Sequence, residues 1–196
     1  MQLNWRNVAW ILAGILFVLG SARIQYHVKV EMPRDDGTTT ALGDLRVGSE
    51  APDFSATDLQ GQPVELSEFR DRKVVVADFW AEWCGPCLMA MPGLQELHDE
   101  FEGQQLEILA VNLGESPEQI QRFIERKGYT FRVVPDQDHS IGNLFGVTGI
   151  PTMVVVGADG RVKRIRVGYG AGSTDRLKQT VHDLIREIQP TGMDDL

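Results

Sequence analysis

The stretch DFWAEWCGPCLMAMPGL, Asp78–Leu94, carries both cysteines of the chain, Cys84 and Cys87, between Trp83 and Pro92. Immediately before them, KVVVADFWA (Lys73–Ala81) is a run of β-branched and aromatic residues without a breaker, the composition of a strand covered on both faces. After them Leu88, Met91, Leu94, Leu97 and Phe101 recur every three or four positions, the period of an amphipathic helix from Cys84 to about Glu102, which Pro92 should kink. A strand ending near Ala81 and a helix starting at Cys84 put the first thiol at a helix N-terminus, where unpaired N–H groups and the helix dipole favour a thiolate. Cys84 is therefore the expected nucleophile. Cys87 lies one turn further in, placed to attack a mixed disulfide formed at Cys84. Gly85 and Pro86 suit that geometry, since a proline in the first helical turn loses no hydrogen bond. Trp83 would flank the thiol as an apolar platform.

Two cysteines can bond to each other, but they cannot build a multi-bridge framework or supply the four thiolates of a structural zinc. His27, His98, His139 and His182 are scattered without ligand spacing, so no metal site is read, and no cofactor is expected. Cysteine count leaves the compartment open, because a single CxxC works in reducing and oxidising spaces alike. The net charge is −9, with acids and bases interspersed and no run of Lys or Arg, which excludes a nucleic-acid partner. With 196 residues and 42% apolar composition, the chain suits one domain of roughly 100 to 200 residues.

Outward from the cysteines, alternating runs on either side of Gln60-Gly61 within Ala51–Phe69 predict a β-hairpin, followed by a turn at Ser67. LEILAVNL (Leu106–Leu113) is a second buried strand. Ser116-Pro117-Glu118-Gln119 then offers a capping serine, a first-turn proline and a glutamine three residues after the cap. Ile120, Phe123 and Ile124 give that helix its inner face, and Gly128 stops it. TFRVV (Thr130–Val134) predicts a short strand and HSIGNLFGV (His139–Val147) a brief helical turn. Asp159-Gly160 joins two strands as a tight hairpin. The last helix carries Leu177, Val181, Leu184, Ile185 and Ile188 on one stripe, with Ser173 or Thr174 as its cap. Helices alternating with mostly buried strands imply a layered α/β domain.

The N-terminal run VAWILAGILFVLG (Val8–Gly20) is apolar throughout and spans about 20 Å of a hydrocarbon core roughly 30 Å thick. Extended to Tyr26 it reaches 19 residues with one charge, Arg23, near an end, where that side chain can snorkel. Two readings stand: a retained membrane anchor, or a cleaved signal with Arg6 before the run and Gly20 and Ala22 ahead of the cut. Flanking bases on both sides leave its orientation undecided. Glu31–Asp44, rich in Gly, Thr and Asp, reads as a tether.

DFWAEWCGPC resembles the active-site signature of the thioredoxin superfamily, and GVTGIPT (Gly146–Thr152) resembles its loop whose proline is cis and faces the CxxC. The likeness runs from roughly Val47 to Ile188. It implies a thioredoxin-like α/β fold with a central mixed β-sheet flanked by helices. It also implies a redox-active disulfide, with Cys84 the attacking and Cys87 the resolving cysteine. Trp83 then matches the flanking tryptophan, Pro92 the helix-kinking proline, Pro151 the cis proline, and Asp78 the buried acid beneath the second cysteine. A carboxylate in an apolar strand should have a raised pKa, suited to taking a proton from Cys87. A cis bond at Pro151 would expose the Ile150 backbone to an extended substrate strand. The plainer alternatives are an ordinary strand-end acid at Asp78 and a trans proline opening a strand at Pro151.

The apolar N-terminus, the VGSEAPDF opening (Val47–Phe54) with its N-terminal β-hairpin, and an inserted helix and strand over Glu115–Val134 depart from plain thioredoxin. They resemble the membrane-anchored TlpA/ResA type of bacteria. That resemblance implies a single uncleaved N-terminal membrane helix, a catalytic domain on the extracytoplasmic or periplasmic side, a disulfide-containing client protein and a membrane thiol transporter as electron donor. Members dedicated to cytochrome c maturation usually have an acid after the cis proline, where this chain has Thr152, so the client stays open. The expected boundaries are a membrane anchor or signal over 1–29, a linker over 30–46, the thioredoxin-like domain over 47–189 and an acidic tail over 190–196.

The Gly-Pro pair between the cysteines and the nearby carboxylates of Asp78 and Glu82 argue against a very acidic thiolate, and so for a reductant. Two rival functions are kept. The APDF opening (Ala51–Phe54) also resembles the peroxiredoxins, but these need a Thr three positions before the peroxidatic cysteine, where Cys84 has Ala81 and Cys87 has Cys84. A tethered holdase gripping extended chains without redox turnover is the binding-module alternative.

Overall fold

The computed structural model describes residues 37–101 and 104–188. Its elements are β1 (Thr38–Thr39), β2 (Ala41–Leu42), β3 (Leu45–Arg46), β4 (Ser55–Thr57), β5 (Pro63–Glu65), a 3-10 turn (Leu66–Phe69), β6 (Val74–Trp80), α1 (Gly85–Glu100), β7 (Leu106–Leu113), α2 (Pro117–Lys127), β8 (Arg132–Asp136), α3 (Ser140–Leu144), β9 (Thr152–Val156), β10 (Val162–Val167) and α4 (Ser173–Ile188). Six strands form one mixed sheet in the order β1-β10-β9-β6-β7-β8. β6, β7 and β8 run parallel, and β9, β10 and β1 are added antiparallel.

All seven residues of β6 are buried, so alternate side chains feed two cores. Val74, Val76 and Trp80 pack with Met91, Leu94 and Leu97 of α1 and Leu177, Val181 and Ile185 of α4. Val75, Ala77 and Phe79 pack on the opposite face with Val64, Phe69 and Phe145. The thioredoxin-like mixed sheet with its covering helices is thus present. The expected hairpin is β4–β5, paired Ser55↔Glu65 to Thr57↔Pro63. The inserted helix and strand are α2 and β8. Ser116 and Gln119 form a reciprocal capping box on α2, which Gly128 ends in the left-handed region at φ 72°.

The structure differs from the sequence-based reading at three places. Thr38–Thr39 pairs with β10 and Ala41–Leu42 pairs with Leu45–Arg46, burying Leu42 and Leu45, inside the stretch read as a tether. Two-residue strands are too short to leave an alternating pattern. β8 begins at Arg132 and continues through Pro135 to Asp136. It is the edge strand, where a missing N–H is tolerated. Ser173 lies inside α4 and its hydroxyl accepts the Gly170 N–H at 3.0 Å. As expected, α1 begins at the cysteines, carries Pro92 within it and ends at Glu100. The anchor, residues 30–36 of the linker and the acidic tail fall outside the described residues. Among the described residues no helix is long and apolar enough to cross a membrane.

Candidate active site

β6 delivers the chain to the site, and the Ala81–Trp83 loop passes it to α1. Cys84 is the N-cap of α1 in extended conformation, and its Sγ accepts the Cys87 backbone N–H at 3.3 Å. Gly85 and Pro86 open the helix, and the Leu88 N–H closes its first turn on the Cys84 carbonyl at 3.1 Å. Cys84 and Cys87 are joined as a disulfide with S–S 2.04 Å. Cys84 is the outer sulfur, 5% exposed against 0% for Cys87. Trp83 beside it is 73% exposed, an apolar ring left in solvent next to the disulfide.

The second wall comes from the turn before β9. The Ile150-Pro151 peptide is cis, and Phe79 pairs with Thr152, so Pro151 lies at the end of the sheet from which β6 runs to Cys84. Ile150, partly buried, packs against the cluster that contains Cys84 and Cys87. The Thr152 hydroxyl is turned inward and donates to the Gly149 carbonyl at 2.6 Å. The Pro151 carbonyl accepts the Gly168 N–H at 2.7 Å.

Asp78 sits in the middle of this arrangement on β6. It is fully buried, and neither carboxyl oxygen has a hydrogen-bond partner among the described residues. Burial pushes its pKa up to about 7, against the opposing pull of the Arg166 guanidinium. Alternation along β6 turns it to the same face as Val76 and Trp80, which pack with Cys87.

Three further residues shape the site and carry no local motif. Glu115 accepts the Glu82 backbone N–H on both carboxyl oxygens at 3.0 Å and the Asn112 side-chain amide at 2.6 Å. It ties the inserted segment to the loop before Cys84. The Glu82 side chain pairs with Arg126 of α2 at 2.7 Å with both partly exposed. Arg166 is buried on β10; its only sequence signal is the alternation of Arg164 and Arg166 about Ile165. Among the described residues no group of three or more His, Cys, Asp or Glu is placed to hold a metal ion.

A family model described as AhpC/TSA family matches residues 47–165. The chain belongs to the AhpC/TSA family. Within it, thiol-disulfide oxidoreductase ResA of Geobacillus thermodenitrificans is 41% identical over 146 residues, covering 74% of this chain and 80% of that protein. ResA of Bacillus subtilis is 32% identical over 143 residues, 73% and 76% of the two chains. A crystal structure from Chlorobium tepidum, described as a thiol:disulfide interchange protein DsbE, superposes with TM-score 0.67 at 30% identity, covering 72% of this chain and 99% of that one. This AhpC/TSA chain is accordingly a TlpA/ResA-type thiol-disulfide oxidoreductase, as the departures from plain thioredoxin implied.

Proposed function

We propose that the protein is a membrane-tethered reductant of disulfides in extracytoplasmic client proteins, working through the Cys84–Cys87 dithiol. The observation that carries this reading is the pair itself: an outer sulfur at the tip of α1 and an inner one a turn below, on the sheet face of a buried acid. In the reduced protein the Cys84 thiolate attacks a client disulfide, and one client sulfur leaves as a thiolate. Cys87 then attacks Cys84, giving its proton to Asp78, and the second client sulfur departs. Two electrons pass to the client and the Cys84–Cys87 disulfide remains. Trp83, Gly85 and Pro86 border the outer sulfur, and Ile150 and Pro151 offer a backbone edge to an extended client segment.

The apolar run at 8–26 supports a single-pass anchor in the cytoplasmic membrane, and the likeness to the TlpA/ResA type supports a catalytic domain outside the cytoplasm. A membrane thiol transporter would re-reduce the disulfide. Cytochrome c maturation is one candidate client route. Thr152, neutral and turned inward, takes the place of the acid of members dedicated to it. The test is client trapping in membranes with Cys87→Ser, which should accumulate mixed disulfides on Cys84 that dithiothreitol releases. No adducts, or adducts equally abundant in Cys84→Ser, would overturn the reading. A redox potential below about −150 mV is expected for a reductant.

A further inference from the structure

Three carboxylates are buried among the described residues: Asp58, Asp78 and Asp136. Two of them are satisfied locally. Asp58 accepts the Gln60 and Gln62 N–H groups at 2.9 and 2.8 Å and faces Arg132 at 3.4 Å. Asp136 accepts the Ser140 hydroxyl and the Ile141 and Gly142 N–H groups. Asp78 accepts none. A buried carboxyl of this kind is stable as the neutral acid unless a cation lies near it.

Arg166 is the only buried cation among the described residues, 4% exposed. The sheet sets it in line with Asp78: Asp78 is in register with Met153, and Met153 with Arg166. Residues directly opposite in antiparallel strands share a face, so the three side chains form one row under α1 and α4. The row spans two strand spacings, about 10 Å between backbones, part of which the long arginine side chain bridges. The Arg166 guanidinium lies over the Tyr169 ring at 5.5 Å, which holds it under the sheet's cover. A guanidinium stays charged at every relevant pH.

Among the described residues, the apolar cluster on the same face of the sheet brings no competing charge. β7 places Ala110 beside it. α1 brings Cys87 and Met91, and α4 brings Leu177 and Val181. The nearest further cation on that face, Arg164, stands one row away opposite Val155 and bonds Thr38 and Thr180. Among the described residues, the titratable groups these elements place on that face of the sheet are thus the Cys87 thiol and Arg166.

We propose that Arg166 is the positioning cation of Asp78: it keeps the buried acid available as the carboxylate that takes the Cys87 proton, and so sets the pH range in which Cys87 resolves the mixed disulfide. This rests on the reading of Asp78 as proton acceptor. Arg166 touches neither sulfur nor client and acts only through Asp78.

The test is a carbon-13 titration of the Asp78 carboxyl in the oxidised full-length protein, where the cysteines cannot titrate, with Asp78→Asn to assign the signal. In Arg166→Gln the midpoint should move up by at least about half a pH unit, and in Arg166→Lys it should stay near the wild-type value. In single-turnover release of a thiol from a Cys84 mixed disulfide, the pH midpoint should move up equally, with a rate about threefold lower near neutrality. An unmoved carboxyl midpoint in Arg166→Gln overturns the proposal, even if the variant melts earlier. Should that variant not fold, Arg166→Met carries the same expectation. The carboxyl titration is independent of turnover: a moved midpoint with a release rate indifferent to Asp78→Asn supports the pairing and overturns the role given to Asp78.

Discussion

Glu115 clamps the backbone N–H of Glu82 between its two carboxyl oxygens, each at 3.0 Å, two residues ahead of the outer cysteine. The clamp makes the inserted segment part of the active-site frame. Glu115→Ala should release the loop and lower the second-order rate of disulfide reduction by about tenfold, the equivalent of one charge-assisted hydrogen bond. Stopped-flow reduction of a model disulfide substrate measures it. A rate within a factor of two of wild type would show the loop holds its shape without the clamp.

Asp78 gives stability a pH dependence whose sign is fixed by its environment. Its folded pKa is raised to about 7, above that of the unfolded chain, so the native state binds more protons than the unfolded state between about pH 4 and 7. Stability attributable to this group is greatest below that window and falls as pH rises through it, by a few kcal/mol in all. Asp78→Asn removes the proton exchange. Urea unfolding at pH 5 and pH 8 should therefore show the variant gaining on wild type at the higher pH, and a constant difference would refute the assignment.

Gly93 of α1 lies against Thr174 of α4. A Cβ built there lies 2.5 Å from the Thr174 Cγ2 and 2.8 Å from its Oγ1. Gly93→Ala should destabilise by about 1–3 kcal/mol despite its better helix propensity. Adding Thr174→Ala should recover most of that loss. A double-mutant cycle read by denaturant midpoints checks the coupling.

The inserted helix depends on its N-terminal box. Ser116 accepts the Gln119 N–H and the Gln119 side chain accepts the Ser116 N–H. Ser116→Ala should lower stability by about 1 kcal/mol and raise amide exchange in the first turn of α2, while Ser116→Asp should leave both near wild type.

Periodicity made the long elements legible. β6 and α1 stood out because an unbroken β-branched run is followed by apolar residues every three or four positions. Ser116 and Gly128 bracketed α2 because capping chemistry is local. The dithiol, the acid beneath it and the cis proline were legible through the order of two motifs. What escaped is made by register. β1 exists because β10 is there to pair with it, and no alternation fits in Thr38–Thr39. Arg166 and Glu115 act across strands and loops distant in sequence, so neither leaves a local signal of its role. Pro135 hid the true extent of β8, because a proline reads as a strand end until the strand is known to lie at the edge.

The short pairing of Thr38–Thr39 with Arg166 and Ile165 also bears on where the gene can be cut. Without it, β10 would present bare amides and carbonyls along one border of the sheet, an invitation to join a second molecule. A version beginning at the family match, residue 47, discards this cover, whereas one beginning at residue 35 keeps it.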